Sequence, residues 1–239
     1  TTISLLQSFK PTIEFEDLTY NFVTDFEKFL YESGYQTNTV AKHMKHLKSF
    51  VNAAINKGYI DPNNYAFRRY KIKMKEGKHV FLLPEEMKKL EEVSLTGRNS
   101  CLEHTLDAFL FCCYTGLRYS DFVNLNEKNI VKMDGKLWLI FDSVKTGTEV
   151  KLPLNLLFEG KALTLLQKYQ GKWSSFFSIK NNSSVNKELI RIGKLAKISK
   201  HFSFHSARHT NATLLIYKGA NITTVQKLLG HKNLATTQI

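Results

Sequence analysis

Apolar residues recur at helical spacing along most of this chain. Leu18, Phe22, Phe26, Phe29 and Leu30 fall on one face and Gly34 closes the run, which predicts an amphipathic helix. A second helix is predicted from the capping cluster Thr37-Asn38-Thr39 to Lys57, closed by Gly58. Its apolar face holds Val40, Met44, Leu47, Val51, Ala54 and Ile55, with Lys42, Lys45 and Asn52 opposite. Pro84, followed by Glu85 and Glu86, opens a helix through Val93. Leu102, Leu106, Phe109, Leu110 and Cys113 mark a longer buried helix ending near Thr115-Gly116. The period then changes. Ile130 to Met133 and Lys136 to Asp142 flank Asp134-Gly135, which suits a tight hairpin turn, and Glu149 to Pro153 reads as a third strand. Two more helices are predicted over residues 161–200, the second from near Ser183-Ser184 to about Ala196. Ala212, Leu215 and Ile216 continue a helix that starts near His205, with Gly219 just past its end. Asn221 caps a helix from Ile222 to Leu229, Gly230 ends it, and Asn233 could cap another.

The pattern predicts a mainly α protein with a small antiparallel β-sheet. A helical bundle occupies residues 1–75 and a mixed α+β domain residues 76–239. Between them Arg68-Arg69-Tyr70-Lys71-Ile72-Lys73-Met74-Lys75 reads as an extended basic connector, softened by Gly77; an edge strand with outward lysines is the alternative. With 239 residues and 43% hydrophobic content, sizeable cores are expected. The net charge of +13 is uneven: residues 41–80 carry +8 and residues 161–209 carry +9, while 1–40 and 81–160 are net acidic. Two basic blocks on separate domains suit a polyanion held between them, the alternative being a solvated basic surface. Lys42 and Lys45, the connector's Arg68, Arg69, Lys71 and Lys73, and Lys187, Arg191, Lys194 and Lys197 are the phosphate-tracking candidates. Cys101, Cys112 and Cys113 are read as free thiols, the adjacent pair buried, in a reducing and therefore cytoplasmic setting. No signal peptide or membrane-length apolar run is seen. Because the sequence begins at Thr1 without methionine, a preceding segment is expected.

The candidate chemistry is cationic. His205 and Arg208 share a helix face at its first turn, and His231 follows Gly230 on a turn. Two imidazoles and a guanidinium at successive helix ends suit an anion with several oxygens. His205 and His209 also have zinc-ligand spacing, but Ser206 stands where an H-E-x-x-H motif needs glutamate, so no metal or cofactor is expected. His201 and His209 are read as capping or core-edge residues, and Tyr217, with Leu214, as core or interface. Arg118 follows Thr115-Gly116-Leu117 on a turn, with Ser120 able to cap the next helix and Tyr119 and Asp121 as structural neighbours. Lys145 sits on the second hairpin turn, a place where lysines are normally solvated. There is no P-loop and no carboxylate cluster of the kind two-metal strand transfer needs.

T-G-L-R-Y-S-D at 115–121, Lys145 between the strands, H-S-A-R at 205–208 and L-L-G-H at 228–231 together resemble the tyrosine recombinases, the phage-type integrase family of bacterial mobile elements. The resemblance covers residues 10 to 239. It implies a core-binding, SAM-like bundle followed by a catalytic domain, and a site-specific recombinase that cuts and rejoins DNA through a 3′-phosphotyrosine. The site residues it implies are Arg118, Lys145, His205, Arg208 and His231, with the tyrosine nucleophile expected immediately after Ile239. On that reading the 239-residue chain alone is inactive. Double-stranded DNA and a homotetramer on paired sites are the implied partners, with no membrane. A type IB topoisomerase-like enzyme shares the chemistry, and a non-catalytic sequence-specific DNA-binding protein on the same scaffold is the rival from another class.

Overall fold

The computed structural model describes residues 1–77 and 79–230. The chain divides into two compact units, Thr1–Lys78 and His79–Ile239. Among the described residues it is mostly helical, with one small antiparallel sheet. Among the described residues no helix is long and apolar enough to cross a membrane.

The first unit holds α1 (Thr2–Phe9), α2 (Tyr20–Glu32) and α3 (Thr37–Asn56). Phe22, Val23, Phe26 and Leu30 of α2 meet Val40, Met44, Leu47 and Val51 of α3, as the helical period of both segments requires. The short α1 escapes the sequence pattern. It is held by Leu6 and by Phe9, whose ring lies 5.4 Å from Phe22 and 5.5 Å from Phe26. Thr2 adds a polar tie, its hydroxyl 2.8 Å from Nδ1 of both His43 and His46.

The Thr37-Asn38-Thr39 cluster is not the cap of α3. The N-cap is Gln36 and makes no side-chain bond. Asn38 instead clasps the backbone of Lys75 in both directions, at 2.9 Å each way, so a side chain at the start of α3 fastens the connector. The connector itself has no regular structure from 70 to 77, as its reading as an extended segment predicts.

In the second unit, α4 (Pro84–Glu91) leads to α5 (Glu103–Thr115), whose residues from Thr105 to Thr115 are all buried. A helix apolar on every side becomes the axis of its domain. One-turn α6 (Tyr119–Phe122) follows, then β1 (Ile130–Met133), β2 (Lys136–Asp142) and β3 (Glu149–Pro153) in the order β1-β2-β3. The register pairs Met133 with Lys136 across Asp134-Gly135, both at positive φ, as the tight turn demands.

Residues 161–200 hold three helices rather than two: α7 (Lys161–Lys168), α8 (Trp173–Phe177) and α9 (Asn182–Leu195). Too short to show a period, α8 is set by Phe176 and Phe177, which are buried against Phe111 and Phe122. Asn181, rather than Ser183 or Ser184, caps α9 by accepting from the Ser184 backbone at 3.0 Å. The last described helices are α10 (Ser206–Tyr217) and α11 (Ile222–Leu229), the latter capped by Asn221 and ended by Gly230 at φ 63°. Of the two readings of Tyr217, core or interface, the structure overturns the first: Leu214 is buried, but Tyr217 is 78% exposed because it falls on the outer face of α10. The position of Asn233 as a cap lies outside the described residues.

Candidate active site

Gly116 ends α5 in the left-handed conformation at φ 73°, and the chain turns into Leu117, which is buried, and Arg118. Arg118 is the N-cap residue of α6, and Ser120 therefore lies inside that helix and does not cap it. The Arg118 Nη1 donates to Ser143 Oγ at 2.9 Å and faces Asp121 Oδ2 at 3.4 Å. Asp121 is almost fully buried, a costly place for a carboxylate unless it is bonded. Its other oxygen accepts from the Val144 backbone at 2.9 Å and from the Ser143 hydroxyl at 3.4 Å.

Arg208, on the first turn of α10, is buried to 6% exposure. Its Nη1 donates to the carbonyl of Gly116 at 2.7 Å and its Nη2 to the carbonyl of Leu229 at 2.5 Å. Those carbonyls stand at the C-terminal ends of α5 and α11, where unpaired carbonyls and the helix dipole favour a cation. The guanidinium thus joins three helices. Burial and the nearby Arg118 charge push its pKa down to about 9, with Asp121 acting in the other direction; it stays a cation at neutral pH.

His205 is the N-cap residue of α10. Burial holds its pKa below the usual histidine value, and the charges of Arg208, Arg118 and Lys145, with His79, press it further. The structure therefore brings His205 within electrostatic reach of both arginines and the lysine. These effects favour the uncharged imidazole, which offers one donor and one acceptor nitrogen. Lys145 is exposed on the turn between β2 and β3. His231 lies outside the described residues.

Beside His205 the rings run on. His209 is 4.9 Å from His205, edge to face, and 4.5 Å from His79. Burial, then His205, His79 and Arg208, lowers the His209 pKa to about 4. His201 is exposed. Among the described residues no group of histidine, cysteine or acidic side chains has the geometry to hold a metal ion. The depressed value of His209 links it to stability. The unfolded state takes up its proton near pH 6.5, so this contribution is full above that pH and is lost as pH falls towards 4. Melting temperatures across this window should fall more steeply for the wild type than for His209→Asn; equal slopes would dismiss the assignment.

Two residues that the sequence marked only weakly, or not at all, belong to this constellation. Asp121 reads as a structural neighbour, and its place three residues after Arg118 on a one-turn helix is the signal of its direct tie. Ser143 gives no signal, since its partners are 22 and 25 residues away. Tyr119 is structural, its hydroxyl donating to the carbonyl of Lys180 at 2.8 Å.

The DNA-tracking candidates are all exposed. Lys42 and Lys45 stand on α3, with Lys45 Nζ 2.9 Å from Met74 Sδ. Arg68 donates to the carbonyl of Pro62 at 3.1 Å, and Arg69, Lys71 and Lys73 follow it along the connector. Lys194 is in the last turn of α9, and Lys197 lies just beyond at positive φ.

A profile described as the phage integrase family matches residues 80–239, and one described as the phage integrase SAM-like domain matches residues 1–73. The chain belongs to the phage integrase family. Tyrosine recombinase XerC of Oceanobacillus iheyensis is 30% identical over 237 residues, covering 93% of this chain and 76% of that protein. Tyrosine recombinase XerC of Bacillus licheniformis is 29% identical over 247 residues, covering 94% and 77%. Solved integrase-family structures share the fold. A lambda integrase dimer bound to a COC′ core site superposes with a TM-score of 0.80 at 18% identity, over 100% of this chain and 86% of that one. The XerH recombinase in a pre-cleavage complex with difH gives 0.69 at 20% identity, over 93% and 67%.

Proposed function

We propose that this integrase-family chain supplies the DNA grip and the phosphate cradle of a site-specific recombinase that cuts and rejoins duplex DNA through a 3′-phosphotyrosine. The observation that carries the reading is a chain of contacts: Arg208 donates to the carbonyl of Gly116, two residues before Arg118, and Arg118 donates to the Ser143 hydroxyl, two residues before Lys145. Guanidinium forks suit the non-bridging oxygens of a phosphodiester because they match paired oxygens and stay charged. Arg118 and Arg208 take that role. His205 hydrogen-bonds the same phosphate, and His231 is assigned beside it by resemblance. The nucleophile is a tyrosine following Ile239. Its phenolic oxygen attacks phosphorus and gives up its proton to solvent, the bond to the 5′-oxygen breaks, and Lys145 protonates the leaving oxygen. The phosphotyrosine retains the bond energy, so a 5′-hydroxyl can rejoin without ATP.

Duplex DNA is the partner, held by the basic residues of α3, the connector and α9. The solved relatives that support this are complexes of lambda integrase with a core site and of XerH with difH, and a lambda integrase tetramer on a Holliday junction supports a homotetramer on paired sites. Such a protein works in the cytoplasm, where chromosomal DNA lies.

The test extends the chain through its proposed tyrosine and incubates it with nicked duplexes from a randomised library. A covalent protein–DNA adduct that survives denaturation, and that the tyrosine→Phe change removes, is the expected result. Salt-sensitive binding with no adduct would replace this reading with a non-catalytic DNA-binding protein. Relaxation of supercoils without strand exchange between sites would replace it with a topoisomerase-like enzyme.

A further inference from the structure

Lys145 is exposed and so is Val144, at 59%, so the tip of this turn takes no fixed position from packing of its own. A proton donor must nevertheless meet one oxygen of the scissile phosphate. What fixes the turn is its base. Ser143, the residue after β2, is 1% exposed and uses all its hydrogen-bonding groups there. Its backbone N–H donates to the carbonyl of Thr148 at 2.9 Å, and its own carbonyl accepts from the N–H groups of Thr146 at 3.2 Å and Gly147 at 2.7 Å. Its main chain therefore closes the loop that carries Lys145. Its hydroxyl accepts from Arg118 Nη1 at 2.9 Å and faces Asp121 Oδ1 at 3.4 Å, the oxygen that also takes the Val144 N–H.

We propose that Ser143 is a positioning residue that locks the Lys145 turn in register with Arg118, through its hydroxyl and the buried Asp121 carboxylate. One side chain thereby ties the group that handles the proton of the 5′-oxygen to a group that holds the phosphate. A hydroxyl is well fitted to this place, since it accepts from a cation and donates to an anion at once, which no apolar side chain of that size does. The proposal rests on the reading of Lys145 as the proton donor in cleavage. In rejoining, the same nitrogen as the free amine takes the proton of the attacking 5′-hydroxyl.

Rejoining can be measured on the 239-residue chain itself, without the proposed nucleophilic tyrosine, because an activated ester can stand in for the phosphotyrosine. DNA ending in a 3′-(4-nitrophenyl phosphate) is paired with a strand bearing a 5′-hydroxyl. The hydroxyl oxygen bonds to phosphorus, the aryl–oxygen bond to phosphorus breaks, 4-nitrophenolate leaves with the electron pair, and Lys145 receives the hydroxyl proton. A parallel strand bears a 5′-thiol, which attacks as the thiolate present at about pH 8.5, where the assay is run, and needs no base from the protein. Ser143→Ala should slow hydroxyl joining by about 10- to 100-fold more than thiol joining, as expected of a misplaced catalytic group, with thiol joining slowed only by the loosening of Arg118. Ser143→Cys, which keeps the volume but bonds weakly, should give the same selective loss and covers the case in which the alanine variant fails to fold. Lys145→Ala should show the same selectivity with a loss of about 100-fold or more.

Folded Ser143 variants that slow both reactions equally, or neither, overturn the proposal while leaving Lys145 its role. A Lys145→Ala protein that joins hydroxyl and thiol strands with equal loss overturns the reading of Lys145 instead, and the proposal falls with it. Wild-type protein that joins neither strand overturns both in the same way.

Discussion

Arg208→Ala is expected to fail twice. In the proposed role of phosphate-holding cation, Arg208 should be worth about 100- to 1,000-fold in rate, the loss seen when one preorganised donor is removed from a developing oxyanion. The same side chain is the donor for the Gly116 and Leu229 carbonyls at the ends of α5 and α11. Alanine leaves both short of a partner in a buried place, and a loss of about 2 kcal/mol in unfolding free energy should follow. Relief of its repulsion with Arg118 offsets only part of this. Cleavage by the extended chain, measured well below the variant's melting temperature, separates the two effects. Activity within about tenfold of wild type, equivalent to under 1.4 kcal/mol of barrier, would remove Arg208 from the chemistry and leave it a purely structural cation.

Gly116→Ala should be the most damaging single methylene in the second unit. At φ 73° any side chain there is strained by about 1–2 kcal/mol. A Cβ would also run into Leu229 Cδ2 and come within 2.8 Å of Asn211 Oδ1. Neither neighbour is free to move. Leu229 packs in the small core of Ala212 and Val225, and Asn211 is buried with its amide donating to the carbonyl of Cys113 at 2.9 Å. Overpacking of this kind adds about 1–3 kcal/mol, so a total near 3 kcal/mol is expected. Gly219 provides the comparison. Its φ is 88°, but nothing lies within 4 Å of a Cβ built there, so Gly219→Ala should lose only about 1 kcal/mol. Urea midpoints of the two variants measure the difference; equal midpoints would show that α10 and α11 yield to the added methyl group. Since the Gly116 carbonyl accepts from Arg208, the alanine variant should lose activity as well.

Local chemistry made much of this legible. Asp134-Gly135 between alternating strands fixed the hairpin to the residue, and Asn221 with Gly230 bounded α11. T-G-L-R and H-S-A-R marked the two arginines through their resemblance to the boxes of the tyrosine recombinases, since an arginine on a turn by itself reads as a surface residue. What stayed hidden depends on neighbours far along the chain. The eight-residue α1 is short, and its place is settled by Phe9 meeting the rings of α2. Asn38 looks like a cap until Lys75, 37 residues later, is seen to occupy it. A serine at 143 has no local reason to matter, and an arginine at 208 no local reason to be buried. Both follow from helix ends and a hairpin that the tertiary fold brings together.

The two kinds of cation in this site differ in how freely they can vary. Arg208 closes two helix ends, so a substitution there is felt at every stage from folding onward, whatever DNA the protein meets. Lys145 stands on an exposed turn held at its base, and in the proposed mechanism its loss touches one proton. Among descendants of this sequence, loss of function by drift should therefore begin at Lys145, yielding proteins that keep the fold and its basic faces after they have stopped cutting.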